Sequence, residues 1–135
     1  MKRNIIFDAC AIIAFVNGED GADFVENLLV DENNMGFVHA VNLCEVFYEY
    51  LRVSGESQAQ SVIDDITGTG ITVCEDMDTL FWQDIARYKA KGRISLADCF
   101  CIALAGRLKG EIITSDYHEF KKIANSGRVT VRFIR

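Results

Sequence analysis

The sequence predicts an α/β fold: a three-layer α/β/α sandwich around a central, mostly parallel sheet of about five short strands, with residues 1–135 forming one domain. Three observations carry this prediction. Short runs rich in Ile, Val and Phe alternate with longer segments of helical periodicity, and such alternation builds parallel sheets covered on both faces. The chain contains no proline, low-complexity linker or repeat, and its 135 residues, 50% hydrophobic, suffice for one packed core but not two. The segment "SLADCFCIALA" at 95–105 is apolar nearly all round, as a helix held between layers must be.

The elements follow in order. The first strand is "NIIFD" at 4–8, and two short helices then share 10–32, with Gly18 as punctuation. "GFVHA" at 36–40 reads as the second strand, followed by a helix over 42–53 that opens at Asn42 and stops before Gly55. A helix over 56–67 leads to the strand "GITVCE" at 70–75, and a helix over 77–91 ends at Gly92. The apolar helix covers 95–109 and stops at Gly110, the strand "GEIITSD" fills 110–116, and a helix over 117–125 precedes the strand "VTVRFI" at 129–134.

A net charge of −6 excludes a broadly basic surface for nucleic acid or for anionic membranes. A polyanion would have to be handled locally, for which acids neutralised by divalent cations suffice. The start "MKRNIIFDACAIIAFV" imitates a signal peptide, but Asp8 interrupts its apolar run and no stretch reaches 18 uninterrupted apolar residues. Cys10, Cys44, Cys74, Cys99 and Cys101 form no C-x-x-C pair and read as reduced core thiols, so a cytoplasmic protein is expected. Phosphate-cradling glycine loops and a G-x-S-x-G elbow are both missing from the sequence.

In a parallel α/β sheet, ligands bind where the carboxyl ends of strands meet the amino ends of helices. Asp8 ends the first predicted strand, Asp116 closes "IITSD", Glu45 lies in the first turn of the helix opening at Asn42, and Asp98 in the first turn after Ser95. Four negative charges so close repel one another unless hard, oxygen-seeking cations lie between them. A competing account exists: "NLCE", "SLAD" and "DYHE" each fit the capping box, in which an acid three residues into a helix reaches back to the cap. Asp8, behind an apolar strand, either caps the next helix or holds a ligand.

"NIIFDACAIIAFV", "HAVNLCEVFYEYL" and "GRISLADCFCIALAGRLKGEIITSDYHEF" resemble the PIN-domain nucleases, particularly the VapC-type toxins of bacterial toxin–antitoxin pairs, from Ile5 to about Phe120. The resemblance implies a metal-dependent endoribonuclease whose acidic quartet, Asp8, Glu45, Asp98 and Asp116, binds one or two Mg²⁺ or Mn²⁺ ions. Asp8 and Asp98 are expected as the principal ligands. Thr114 matches a hydroxyl residue that orients such a site, and Glu119 is an additional nearby acid. Cys10 departs from the pattern, standing where many relatives have Ser or Thr. The resemblance further implies an RNA substrate, a homodimer, no membrane association, and a small antitoxin whose tail inserts into the acidic cleft.

Two other readings fit the same residues: a non-catalytic PIN-like interaction domain whose acids only cap helices, and a receiver-like phosphoacceptor. The latter lacks paired acids near the first strand and a lysine at the end of "IITSD". "RYKAKGR" at 87–93 either steers a polyanion or completes a helix end. "EVFYEYL" at 45–51 packs a core or subunit interface rather than stacking bases, and His39 and His118 are isolated.

Overall fold

The computed structural model describes residues 2–135. Its elements are β1 (Arg3–Phe7), α1 (Ala9–Asn17), α2 (Ala22–Val30), β2 (Asn34–His39), α3 (Ala40–Ser54), α4 (Glu56–Gly68), β3 (Thr72–Cys74), α5 (Thr79–Lys91), α6 (Leu96–Leu108), β4 (Glu111–Thr114), α7 (Tyr117–Ser126) and β5 (Thr130–Phe133). The five strands form one sheet in the order β3-β2-β1-β4-β5, and every neighbouring pair is parallel. The predicted three-layer α/β/α sandwich is the observed fold.

Strand alternation sorts side chains between two apolar layers. Ile5 and Phe7 of β1, Val38 of β2 and Ile113 of β4 face one side, where α1, α2, α3 and α4 cover them through residues such as Ile12, Val25, Val46 and Val62. Ile6 and Ile112 face the other, against Phe81 and Ile85 of α5, Phe120 of α7 and residues 99–105 of α6. Residues 99–105 of α6 are all buried, which explains why this helix has no polar face. Full burial of each large aliphatic or aromatic side chain contributes about 1.5–3 kcal/mol.

The chain runs from β1 outward through β2 to β3, then returns to place β4 on the other side of β1. β1 and β4 therefore flank the point at which strand order reverses, the crevice where open parallel sheets bind ligands. Two departures from the sequence reading matter there. Helix α3 begins at Ala40 rather than Asn42, because the His39 ring, not Asn42, caps it: Val41 N–H donates to His39 Nδ1 at 3.0 Å. Glu45 consequently lies beyond the first turn. The cysteines also divide, with Cys99 and Cys101 buried, Cys74 partly covered, and Cys10 and Cys44 exposed, so only part of the set is core.

Gly110 makes the close approach of α6 to β1 possible. A Cβ there would lie 2.6 Å from the Asn4 carbonyl oxygen and 2.2 Å from Ile6 Cδ1, and the backbone atom cannot turn away. Gly106, inside the same helix, has open space. Gly110→Ala is expected to lower unfolding free energy by about 1–3 kcal/mol, whereas Gly106→Ala should raise it by up to about 1 kcal/mol; urea denaturation of the two variants checks the contrast.

Candidate metal centre

Asp8 is 1% exposed, at the junction of β1 and α1. It serves as N-cap of α1, with Oδ1 accepting from Ala11 N–H at 2.8 Å. Its Oδ2 accepts from the hydroxyl of Thr114, itself fully buried at the end of β4. The same hydroxyl accepts from Asp116 N–H at 3.0 Å. Thr114 thus ties the first predicted acid to the backbone of the last.

The three capping-box motifs resolve differently. Asp116 does cap α7, with Oδ1 accepting from Glu119 N–H at 2.9 Å. In "SLAD" only half the box forms: Asp98 N–H donates to Ser95 Oγ at 3.1 Å, but Ser95 N–H donates to Oε1 of Glu119, on another helix, at 2.5 Å. The reach-back bond is supplied across the crevice, so the Asp98 carboxylate is not consumed by its own helix end. "NLCE" forms no box, because Asn42 lies inside α3; its Nδ2 donates to Ala97 O at 3.0 Å and lies 3.5 Å from Glu45 Oε1. Capping therefore accounts for Asp8 and Asp116, but not for Glu45 or Asp98.

Burial and crowding raise the proton affinity of this rim. Loss of water pushes Asp8 up to about 7, aided by the charges of Asp116 and Glu45 and opposed by its bonds to Thr114 and Ala11. Asp98 is also pushed up to about 7, chiefly by burial and then by Asp8, with smaller contributions from Glu119 and Glu45 against the Ser95 hydrogen bond. Glu45 is raised by burial, against its Asn42 contact. Cys10 is exposed as a residue, yet its thiol is pushed up to about 12, first by desolvation around the sulfur and then by Asp8, Asp116, Asp98 and Glu45. It remains a neutral thiol beside the acids.

Carboxylate oxygens of Asp98, Asp116 and Glu119 lie within 4.8 Å of one another, close enough to share one cation. The all-oxygen donor set suits Mg²⁺ or Mn²⁺ rather than a soft metal. Asp8 and Glu45 flank this trio and share its field, as their mutual effects on protonation indicate. The tightest grouping thus includes Glu119, which sequence reasoning ranked as an accessory. Its signal was the "DYHE" box, and its bond to Ser95 has no local signature.

The histidines lie apart from the cluster. His39 is 3% exposed, uses Nδ1 for Val41 N–H and Nε2 for the Asp76 carbonyl at 2.9 Å, and stacks on Phe81 with an 11° interplanar angle. Both nitrogens are occupied by backbone, with the ring proton on Nε2. His118 is exposed on α7.

The profile of the PIN domain matches residues 5–126. No curated protein sequence matches the chain significantly. Among solved structures, a DNA-bound VapBC from Salmonella typhimurium superposes with a TM-score of 0.76 at 16% identity, over 100% of both chains. VapBC2 from Rickettsia felis, bound to a promoter DNA fragment, gives 0.74 at 16% identity, covering 96% of this chain and 98% of that one. VapC20 from Mycobacterium tuberculosis, described as a sarcin-ricin loop cleaving toxin, gives 0.68 at 16% identity over 95% and 98%.

Two measurements test this geometry. Thr114→Val removes the donor to Asp8 and the acceptor for Asp116 N–H, and should cost about 1–3 kcal/mol in urea denaturation. For pH, the folded chain holds protons on Asp8 and Asp98 up to about pH 7 that the unfolded chain releases near the ordinary aspartate value of 3.8. In EDTA, stability should therefore fall as pH rises across that window. Asp98→Asn should flatten the slope and be more stable than the parent by about 1–2 kcal/mol near pH 8, as thermal melts at several pH values would register.

Proposed function

Since the chain belongs to the PIN domain family, we propose that it is a metal-dependent endoribonuclease and the toxin component of a toxin–antitoxin pair. The observation that carries the nuclease reading is the convergence of Asp98, Asp116 and Glu119 at a strand-end crevice, with helix capping leaving the Asp98 carboxylate uncommitted. A non-catalytic domain whose acids only cap helices would have no use for that charge, which burial makes costly.

Asp98, Asp116 and Glu119 would hold the cation, with Asp8 and Glu45 completing the acidic wall. A bound Mg²⁺ or Mn²⁺ supplies a more acidic water and neutralises charge on a scissile phosphate. Asp8 keeps a fixed orientation because Ala11 N–H and the Thr114 hydroxyl each occupy one of its oxygens, while further lone pairs remain for water or ligand. Asn42 holds the Glu45-bearing helix α3 against the first turn of α6, and so sets Glu45 relative to Asp98. Hydrolysis by water with the 3′-oxygen as leaving group would give 5′-phosphate and 3′-hydroxyl ends.

The partner proposals rest on charge and exposure. A net charge of −6 with an acidic crevice suits an antitoxin whose tail carries basic side chains. Tyr48 and Leu51, one turn apart on α3, are exposed, an apolar pair that supports the homodimer expectation. No helix among the described residues is long and apolar enough to cross a membrane. VapC20 is described as cleaving the sarcin-ricin loop, which makes structured RNA the substrate class to try first.

Incubation with a panel of structured RNAs and Mg²⁺ or Mn²⁺ should give discrete cleavage with 5′-phosphate ends, and Asp98→Asn should reduce the rate by at least about 100-fold. Mn²⁺ should raise the melting temperature of the parent but not of that variant. Cleavage undiminished in Asp98→Asn, or in Asp8→Ala, would reject the site.

A further inference from the structure

A second cavity, of about 540 Å³, lies between the end of α5, the α5–α6 connection and α7. Its charge is opposite to that of the chain as a whole. Lys91, Arg93, Lys121, Lys122 and Arg128 line it, all exposed, and Glu119 is its one acid. Among the described residues Arg93 and Arg128 are in no ion pair, whereas every arginine outside the cavity is in one; the lysines, inside the cavity and out, are in none. The basic motif at 87–93 divides on the same line: Arg87 pairs with Asp84 at 3.0 Å and Lys89 donates to the Ile94 carbonyl at 2.8 Å, while Lys91 and Arg93 turn to the cavity. Lys89 and Lys91 stand in the last turn of α5, as the helix-end account has it, whereas Arg93 lies beyond the helix.

Glu119 joins this cavity to the acidic trio, since the same side chain belongs to both. Unpaired cations beside a cation-binding acid centre are an arrangement for a chain that carries negative charge at regular intervals. Tyr88, Ile94 and Ile123 add apolar surface, on which a base can rest while its phosphates meet the rim. We infer that this basic cavity is a binding subsite for the single-stranded RNA backbone next to the scissile phosphate. The inference rests on the ribonuclease reading for its substrate class, and on the cavity alone for its residues.

The test measures binding apart from cleavage. A short fluorescent single-stranded RNA is titrated with the wild-type protein in EDTA, at several salt concentrations, by anisotropy. The same is done with Lys91→Ala/Arg93→Ala and with Lys121→Ala/Lys122→Ala, whose exposed positions spare the core. Each pair should weaken binding at least tenfold at low salt, and should flatten the dependence of log affinity on log salt by about 1.4 for two lost phosphate contacts. The Mn²⁺-induced rise in melting temperature should persist in both. Unchanged RNA affinity and salt slope in both variants would overturn the subsite even if Asp98→Asn abolishes cleavage. Lost RNA binding in the variants would support it even if the wild type cut none of the RNAs tried. Polyglutamate binding more tightly than RNA at matched charge would overturn it in favour of an acidic protein partner.

Discussion

Negative charge pressed against an apolar sheet is the constraint around which this molecule is built. Asp8 ends a strand whose last three residues are buried, and it is as buried as they are. An unpaired carboxylate there would cost several kcal/mol. The neighbouring geometry answers that cost: a helix begins at once and offers Ala11 N–H, and β4 ends beside β1 so that Thr114 can offer its hydroxyl. The parallel pairing of β1 with β4, the short turn from Thr114 to Asp116 and the start of α7 are all tied to that exchange.

Hydrogen bonds offset only part of the expense. The rim still holds Asp8 and Asp98 far above ordinary carboxylate behaviour, and the apolar body of α6 holds Asp98 in place without relieving it. A divalent cation would relieve strain of this electrostatic kind more fully than the helix-cap hydrogen bonds do. The same crowding keeps the Cys10 thiol neutral, so this position offers only a weak S–H donor where a hydroxyl would offer a stronger one.

Much of this was legible in the sequence because it is local. Alternating strand and helix patterns, the all-apolar α6 and acids following strands are short-range features, and they led to the sandwich and to the rim. The misreadings were of longer range. His39 caps α3 although histidine is not among the usual caps, while Asn42 three residues later imitates the usual signature from inside the helix. Glu119 completes the Ser95 cap from another helix, 24 residues away, and nothing near either residue announces it. The cysteines looked uniformly apolar in their neighbours, but a neighbour in sequence on a half-exposed helix does not decide which face a side chain takes.

The strand order β3-β2-β1-β4-β5 also has a consequence for biosynthesis. Thr114 leaves the ribosome 106 residues after Asp8, and Asp116 follows it. Until β4 has been made and has docked beside β1, Asp8 has its local donor Ala11 N–H but lacks the Thr114 hydroxyl, and Asp116 is not yet there to face it. Such distant pairing is slow to form and comes late. The rim is thus assembled from segments made far apart in time, and a chain that stops short of β4 holds Asp8 by its local cap alone.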